Sequence, residues 1–173
     1  MSTLRVNAIT EADGTSFNFI AAAQQWRQTT NASNPTSLTS NWEVNDNGAY
    51  GSLGLAMSES SGVFTFPSTG IYYIAVDQTF HVTSGGNDRR CEIHIQTTTN
   101  NSSYEDIAIG YTNLGVGSST TFGTASCATF VDITDTSNRK VQFTASVNNS
   151  STQLTGNSGY NENSYVFIRL GDT

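Results

Sequence analysis

Lysine is almost missing from this chain: Lys140 is the only one in 173 residues. Charged residues of all kinds make up 12%, and their balance is −7. Nucleic acid is held by basic grooves that release counterions from the phosphates. The largest basic groupings here are the dipeptides Arg89-Arg90 and Arg139-Lys140, which are too small to line a groove. The same deficit disfavours anionic membrane surfaces. No apolar run approaches the roughly 20 residues of a membrane-spanning helix. Residues 1–10 carry Leu4, Val6, Ala8 and Ile9 among polar neighbours, not the unbroken apolar core of a secretory signal. The expectation is a chain made in a cytoplasm and not secreted by a signal peptide.

Histidine is limited to His81 and His94, and cysteine to Cys91 and Cys127. No nucleophile elbow, zinc-binding helix or phosphate loop is present, so no catalytic residue is assigned and the chain reads as a non-enzyme. His94 lies on the polar face of an alternating run and reads as a solvent- or interface-facing side chain. Both cysteines sit in strand-like runs, CEIHI and ASCATF, where a thiol behaves as a small hydrophobe. They are expected reduced, buried and unbridged. Asp132 and Asp135 bracket one turn, and Asn87-Asp88 tips another. Calcium wants six to eight oxygens, and no compact loop supplies them. No cofactor is assigned, and calcium has no motif. A hydrolase would need a carboxylate pair in a cleft; nothing brings Glu92 and Asp132 together.

What the chain does have is aromatics, nine Phe, seven Tyr and two Trp, in a background of Asn, Ser, Thr and Gly. Disordered chains carry fewer aromatics and more charge, so the composition argues for one packed β domain. The stretch Ser61 to Phe80 is its most ordered-looking part. It reads as strand, tight turn at Pro67-Ser68-Thr69-Gly70, and strand, a β-hairpin. On the second strand Tyr72, Ile74, Val76, Phe80 and Val82 share one face, interrupted by Gln78, while the other face is mixed.

Elsewhere Phe17 to Gln28 reads as strand rather than helix, followed by a polar loop to Asn41 and a short strand at Trp42-Glu43-Val44. Arg90 to Thr97 puts Cys91, Ile93 and Ile95 on one face. Tyr104 to Leu114 puts Ile107, Ile109 and Tyr111 together. Ser119 to Ile133 separates Phe122, Ala128 and Phe130 from Cys127, Val131 and Ile133. Lys140 to Asn148 aligns Val141, Phe143, Ala145 and Val147, and Asn163 to Leu170 closes the chain. About ten strands with turn signals and no helix define an all-β, two-sheet sandwich or jelly roll. Residues 1–16 form a short extended N-terminal segment, whose Leu4, Val6, Ala8 and Ile9 are assigned to docking. Residues 17–173 form the domain.

The run Gly62-Val63-Phe64-Thr65-Phe66-Pro67-Ser68-Thr69-Gly70-Ile71-Tyr72-Tyr73 resembles the signature of the globular head of the complement recognition subunit. That family shares its jelly roll with tumour necrosis factor. Ser164-Tyr165-Val166-Phe167-Ile168 is similar to its last strand. The likeness spans roughly residues 17 to 173. It departs in the Ile-Ala-Val after the tyrosines, which replaces a more aromatic run, and no collagen-like tract precedes the head. The resemblance implies a jelly roll assembled as a compact homotrimer that binds rather than catalyses. Ser2 to Ile9, then Gly14, is similar to the starts of bacteriophage tail-fibre and other virion appendage proteins. Together these imply a phage virion protein: a trimeric tail-fibre or appendage head for attachment. Its partners would be itself, other virion proteins through the N-terminal segment, and a host-surface glycan or protein. A capsid decoration protein and a free lectin-like module are the alternatives.

Seven aromatics, Tyr72, Phe80, Phe122, Phe130, Phe143, Tyr165 and Phe167, are too many for one face of one sheet. Part of the set is expected between subunits, where aromatics are enriched, and Tyr73, Tyr165 and Phe167 are assigned to a trimer interface. The loops Thr98 to Ser103 and Asn149 to Glu162 are expected to face a host.

Overall fold

Alternation of apolar and polar residues in run after run makes each long segment a strand with one face to bury. In the computed structural model, which describes residues 20, 22–33 and 37–173, these faces meet between two antiparallel sheets. The strands, in order, are β1 (Ala22–Gln28), β2 (Ala32–Ser33), β3 (Trp42–Val44), β4 (Leu53–Gly54), β5 (Ser58–Ser60), β6 (Val63–Thr65) and β7 (Gly70–Val82). They continue as β8 (Asp88–Thr98), β9 (Tyr104–Leu114), β10 (Thr121–Ile133), β11 (Lys140–Val147), β12 (Gln153–Leu154) and β13 (Asn163–Gly171). The first sheet runs β2-β12-β7-β13-β1-β3, with β10 on β7 and β4 on β1. The second runs β5-β6-β11-β8-β9.

The central strand β7 carries its inward set as read from the sequence: Tyr72, Ile74, Val76, Phe80 and Val82 are all buried. Gln78 interrupts them for a reason. Its amide is fully buried and answers Tyr165, whose hydroxyl donates to Oε1 at 2.6 Å, while Nε2 donates to the carbonyls of Thr79 and Thr155. Burial drives the Tyr165 phenol far above its ordinary range, with the nearby Cys127 thiol adding to it. Across the gap, Phe64 of β6 sits among Trp26, Trp42, Phe143 and Phe167, with ring centroids 4.9 to 5.4 Å away. Trp26 and Phe167 come from the first sheet and Phe143 from the second. The hub therefore staples the two layers together.

The segment 61–80 is not a hairpin. β6 pairs with β5 and β11, whereas β7 pairs with β10, β12 and β13 in the other sheet. The Pro67–Gly70 turn carries the chain across the sandwich because Phe64, Phe66 and Tyr72 must all face the interior; Phe66 and Tyr72 pack at 4.6 Å. Gly70 has φ +139, and a Cβ there would strike the Gly171 carbonyl. The 83–87 connection also crosses between the sheets, from β7 to β8. A true hairpin lies one step earlier, at β5–β6. Its two-residue loop Ser61-Gly62 has φ 52 and 83, the positive pair that a right-twisted hairpin prefers.

Segment 17–28 is strand from Ala22 to Gln28, as expected, and the docking positions Leu4, Val6, Ala8 and Ile9 lie outside the described residues. Polar stretches contribute the minimal strands β2, β5 and β12, whose backbones pair although their side chains carry no apolar pattern. Truncating the hub is expected to cost stability heavily: Phe64→Ala should lose about 3–5 kcal/mol in equilibrium denaturation. A loss under about 1 kcal/mol, the mark of a site able to collapse, would show that this ring is not the staple.

Candidate binding and assembly surfaces

With one face of β7 and β10 committed to the core, their other face points away from the sandwich. The register places outward residues in rows that cross the first sheet. One row runs Leu53, Ala23, Ile168, Tyr73 and Phe130 over β4, β1, β13, β7 and β10. The next runs Gln25, Val166, Ala75 and Ala128. Tyr73 and Phe130 pack ring on ring at 5.5 Å, and Phe130 is still 66% exposed. Further along, Asp77 accepts the Ser126 hydroxyl at 2.5 Å, and Thr79 and Thr124 share a hydrogen bond of 2.8 Å. Asp77, Thr79 and Thr124, with Gln25, Ser164 and Glu162, line a polar groove of about 310 Å³. His81 then lies against Phe122, 61% exposed. The face is thus an apolar band, a polar groove and an aromatic end.

Around the corner, β9 and β10 close the side of the sandwich without a ladder between them. The Gly110 backbone passes so near Ser126 that a Cβ would collide with it. Tyr111, on this edge, is 60% exposed and Ile109 half-buried, whereas a bulge opposite Ile95 and Gln96 takes Ile107 off the face expected for all three and packs it against the core.

The interface residues expected from sequence divide. Tyr73 faces outward, in the apolar row. Tyr165 and Phe167 are buried in the core of the single chain, at 0% and 2% exposure, and have no surface left to offer a neighbour. Of the seven aromatics in the surplus, the pair that the fold turns outward is Phe122 and Phe130. Their position opposite Cys127, Val131 and Ile133 in the alternation of β10 was the signal that marks them.

The other candidates are dispersed. His94 lies on the outer face of the second sheet between Asp106, at 3.1 Å, and Glu92, at 3.6 Å. The two carboxylates approach different ring nitrogens, so the three do not converge on one point. Glu92 projects from the outer face of the second sheet and Asp132 from that of the first, with the core between them. Among the described residues no three His, Cys, Asp or Glu side chains gather into a metal-binding group. Cys91 and Cys127 are unbridged, and Cys127 is half-buried rather than buried. Burial, aided by Asp88, pushes the Cys91 thiol up to about 12, and burial with Asp77 pushes Cys127 to about 11.

The loops expected to face a host lie at opposite ends. β1 starts at the end that holds Gly70, the 98–103 hairpin and the 134–139 turn, where Asn101 donates to the Asn138 carbonyl. The connections 83–87, 115–120, 148–152 and 155–162 share the far end. Asp88 organises that end. Its Oδ1 accepts from the N–H groups of Arg90 and Asn148, and its Oδ2 from Asn149 N–H and the Thr152 hydroxyl. Burial pushes the carboxyl up, but these four donors together hold it below its ordinary value.

No family model and no curated protein matches the sequence. Solved structures do match the fold. The crystal structure of murine APRIL at pH 5.0 superposes with a TM-score of 0.60 at 12% identity, covering 86% of this chain and 98% of that one. Eiger TNF from S. frugiperda gives 0.60 at 10% identity, covering 90% and 96%. The fold is the tumour necrosis factor-like jelly roll, in its two-sheet form.

Asp88 sets a pH dependence. A carboxyl held low in the fold contributes stability fully above its unfolded pKa, about 3.9, and loses it as pH falls through the folded value. Asp88→Asn should lower stability by about 1–3 kcal/mol at neutral pH, because N–H donors then face an amide. In thermal melts from neutral pH downward, the gap between wild type and variant should hold until the ordinary Asp range and close below it. A gap independent of pH would contradict this role.

Proposed function

We propose that this domain is a non-catalytic binding head that assembles as a homotrimer, and that it serves as the tail-fibre or appendage head of a phage virion. The observation that carries the assembly reading is the row Leu53, Ala23, Ile168, Tyr73 and Phe130. It is an apolar band across five strands with no intrachain partner among the described residues. Exposed apolar patches rimmed by polar residues mark interaction sites. A closed ring of three copies needs two different patches, one meeting the other on the next subunit. The apolar row offers the first, and the edge bearing Tyr111 and Ile109 offers the second. The jelly-roll fold and the resemblance to the complement globular head both favour this arrangement.

The virion setting rests on the similarity of Ser2 to Ile9 to the starts of phage appendage proteins. It gives the topology a use. The chain enters the domain at the end where β1 starts, so a segment docked on a particle leaves the far-end loops free for a target. Weak contacts made by three copies then gain from avidity. Virion proteins and a host surface are the proposed partners.

Sedimentation velocity should give a species of three chain masses for the wild type. Tyr73→Asp and Phe130→Asp should each shift it to one chain mass with the circular dichroism spectrum retained. A wild-type monomer, or trimers indifferent to both changes, would remove the assembly reading. Immunolabelling of purified particles separates the settings: label at the tail supports attachment, label over the head moves the protein to capsid decoration, and unlabelled particles overturn the virion reading.

A further inference from the structure

The far end of the sandwich holds a polar pocket of about 420 Å³, lined by Asn87, Asp88, Arg89, Asn148, Asn149 and Ser150. Its size falls within the range of small-molecule sites, but its walls are amides, a hydroxyl and a guanidinium. It lies between the β7–β8 and β11–β12 connections, which Asp88 ties to each other through Asn148, Asn149 and Thr152. Both walls are therefore held in place before any ligand arrives. The Asp88 carboxylate is itself 1% exposed and saturated by four donors.

Arg89 is the unspent group. Among the described residues every other arginine, and the lysine, is committed. Arg27 pairs with Glu43 and Asp46, Arg90 with Glu92, and Arg169 with Asp172. Arg139 donates to Thr134, and Lys140 to Thr65 and Thr136. Arg89 is exposed and makes no hydrogen bond or ion pair within the described part of the chain. A β-bulge between Asp88 and Cys91 turns it out of the strand's alternation, so that Arg89 and Arg90 are both exposed in succession. Bulges re-aim side chains in this way beside functional sites. The side-chain amides of Asn87 and Asn148 and the Ser150 hydroxyl are likewise without partners among the described residues.

We propose that this pocket binds an acidic saccharide, a sugar carrying a carboxylate beside vicinal hydroxyls. The Arg89 guanidinium takes the carboxylate in a two-point contact. The Asn87 and Asn148 amides, which both donate and accept, take the hydroxyls with Ser150. The absence of an apolar wall selects against lipids and aromatic ligands. The proposal gives the attachment reading a ligand class; because the pocket lies within one chain, it can fail while the trimer and virion readings stand.

The test is a titration of the isotope-labelled full chain with D-glucuronate, D-glucose and acetate, followed by NMR chemical shifts. Glucuronate should move the amides of residues 87–90 and 148–150 with millimolar affinity, about tenfold tighter than glucose or acetate, and more weakly as salt is added. Arg89→Gln should erase the preference for glucuronate over glucose without unfolding the domain, since the side chain it replaces is exposed and unpaired. Arg89→Lys should keep part of it. Acetate binding as tightly as glucuronate would overturn the sugar assignment. Glucose binding as tightly, no response to glucuronate at its solubility limit, or a preference that survives Arg89→Gln would overturn the site.

Discussion

Everything in this domain depends on aromatic packing across the gap between its sheets. Phe64 meets rings from both layers, and Phe143, Tyr165 and Trp42 extend the cluster, with Trp42 and Tyr165 centroids 4.5 Å apart. A β-strand has only two faces, so committing one to this cluster fixes the other. The inward residues of β7 and β10 go to the core, and Tyr73, Phe130 and Phe122 are turned out as the direct result. The assembly surface and the core are opposite sides of one constraint. No separate device in the chain creates the outer face.

Period-two alternation made most of this legible from sequence. The inward sets of β7, β8 and β11 were recoverable because one buried face imposes a strict pattern. Two kinds of information were not. Which strands pair is a long-range matter: Val63–Phe66 and Ile71–Val82 are close in sequence and look like a hairpin, yet they belong to different sheets because three aromatics flanking the turn all need the interior. How much surface an aromatic has left after folding is equally non-local. Tyr165 and Phe167 read as interface residues until β1 and β7 are placed on either side of β13 and the core above it. Asp88 was visible only as a turn acid, because three of its four donors come from a segment some 60 residues away.

The two ends of the sandwich differ in kind. The end where β1 starts is closed by short connections, the Pro67–Gly70 turn, the 98–103 hairpin and the 134–139 turn. The far end gathers the polar connections 83–87, 115–120, 148–152 and 155–162 and the open pocket between the first and third of them. A β domain held at one end and open at the other transmits position without needing to change shape. Its recognition chemistry can then vary in loops that the core does not constrain.

Lys140 has a practical consequence of its own. The ε-amine of the chain's single lysine is bound to the Thr65 hydroxyl and the Thr136 carbonyl, on a residue only 9% exposed. The folded domain therefore displays no free side-chain amine. Amine-directed crosslinkers, acylating dyes and the conjugation of ubiquitin-like tags find no ready side-chain target on it. A lysine introduced by substitution at any exposed position would become a single, addressable handle.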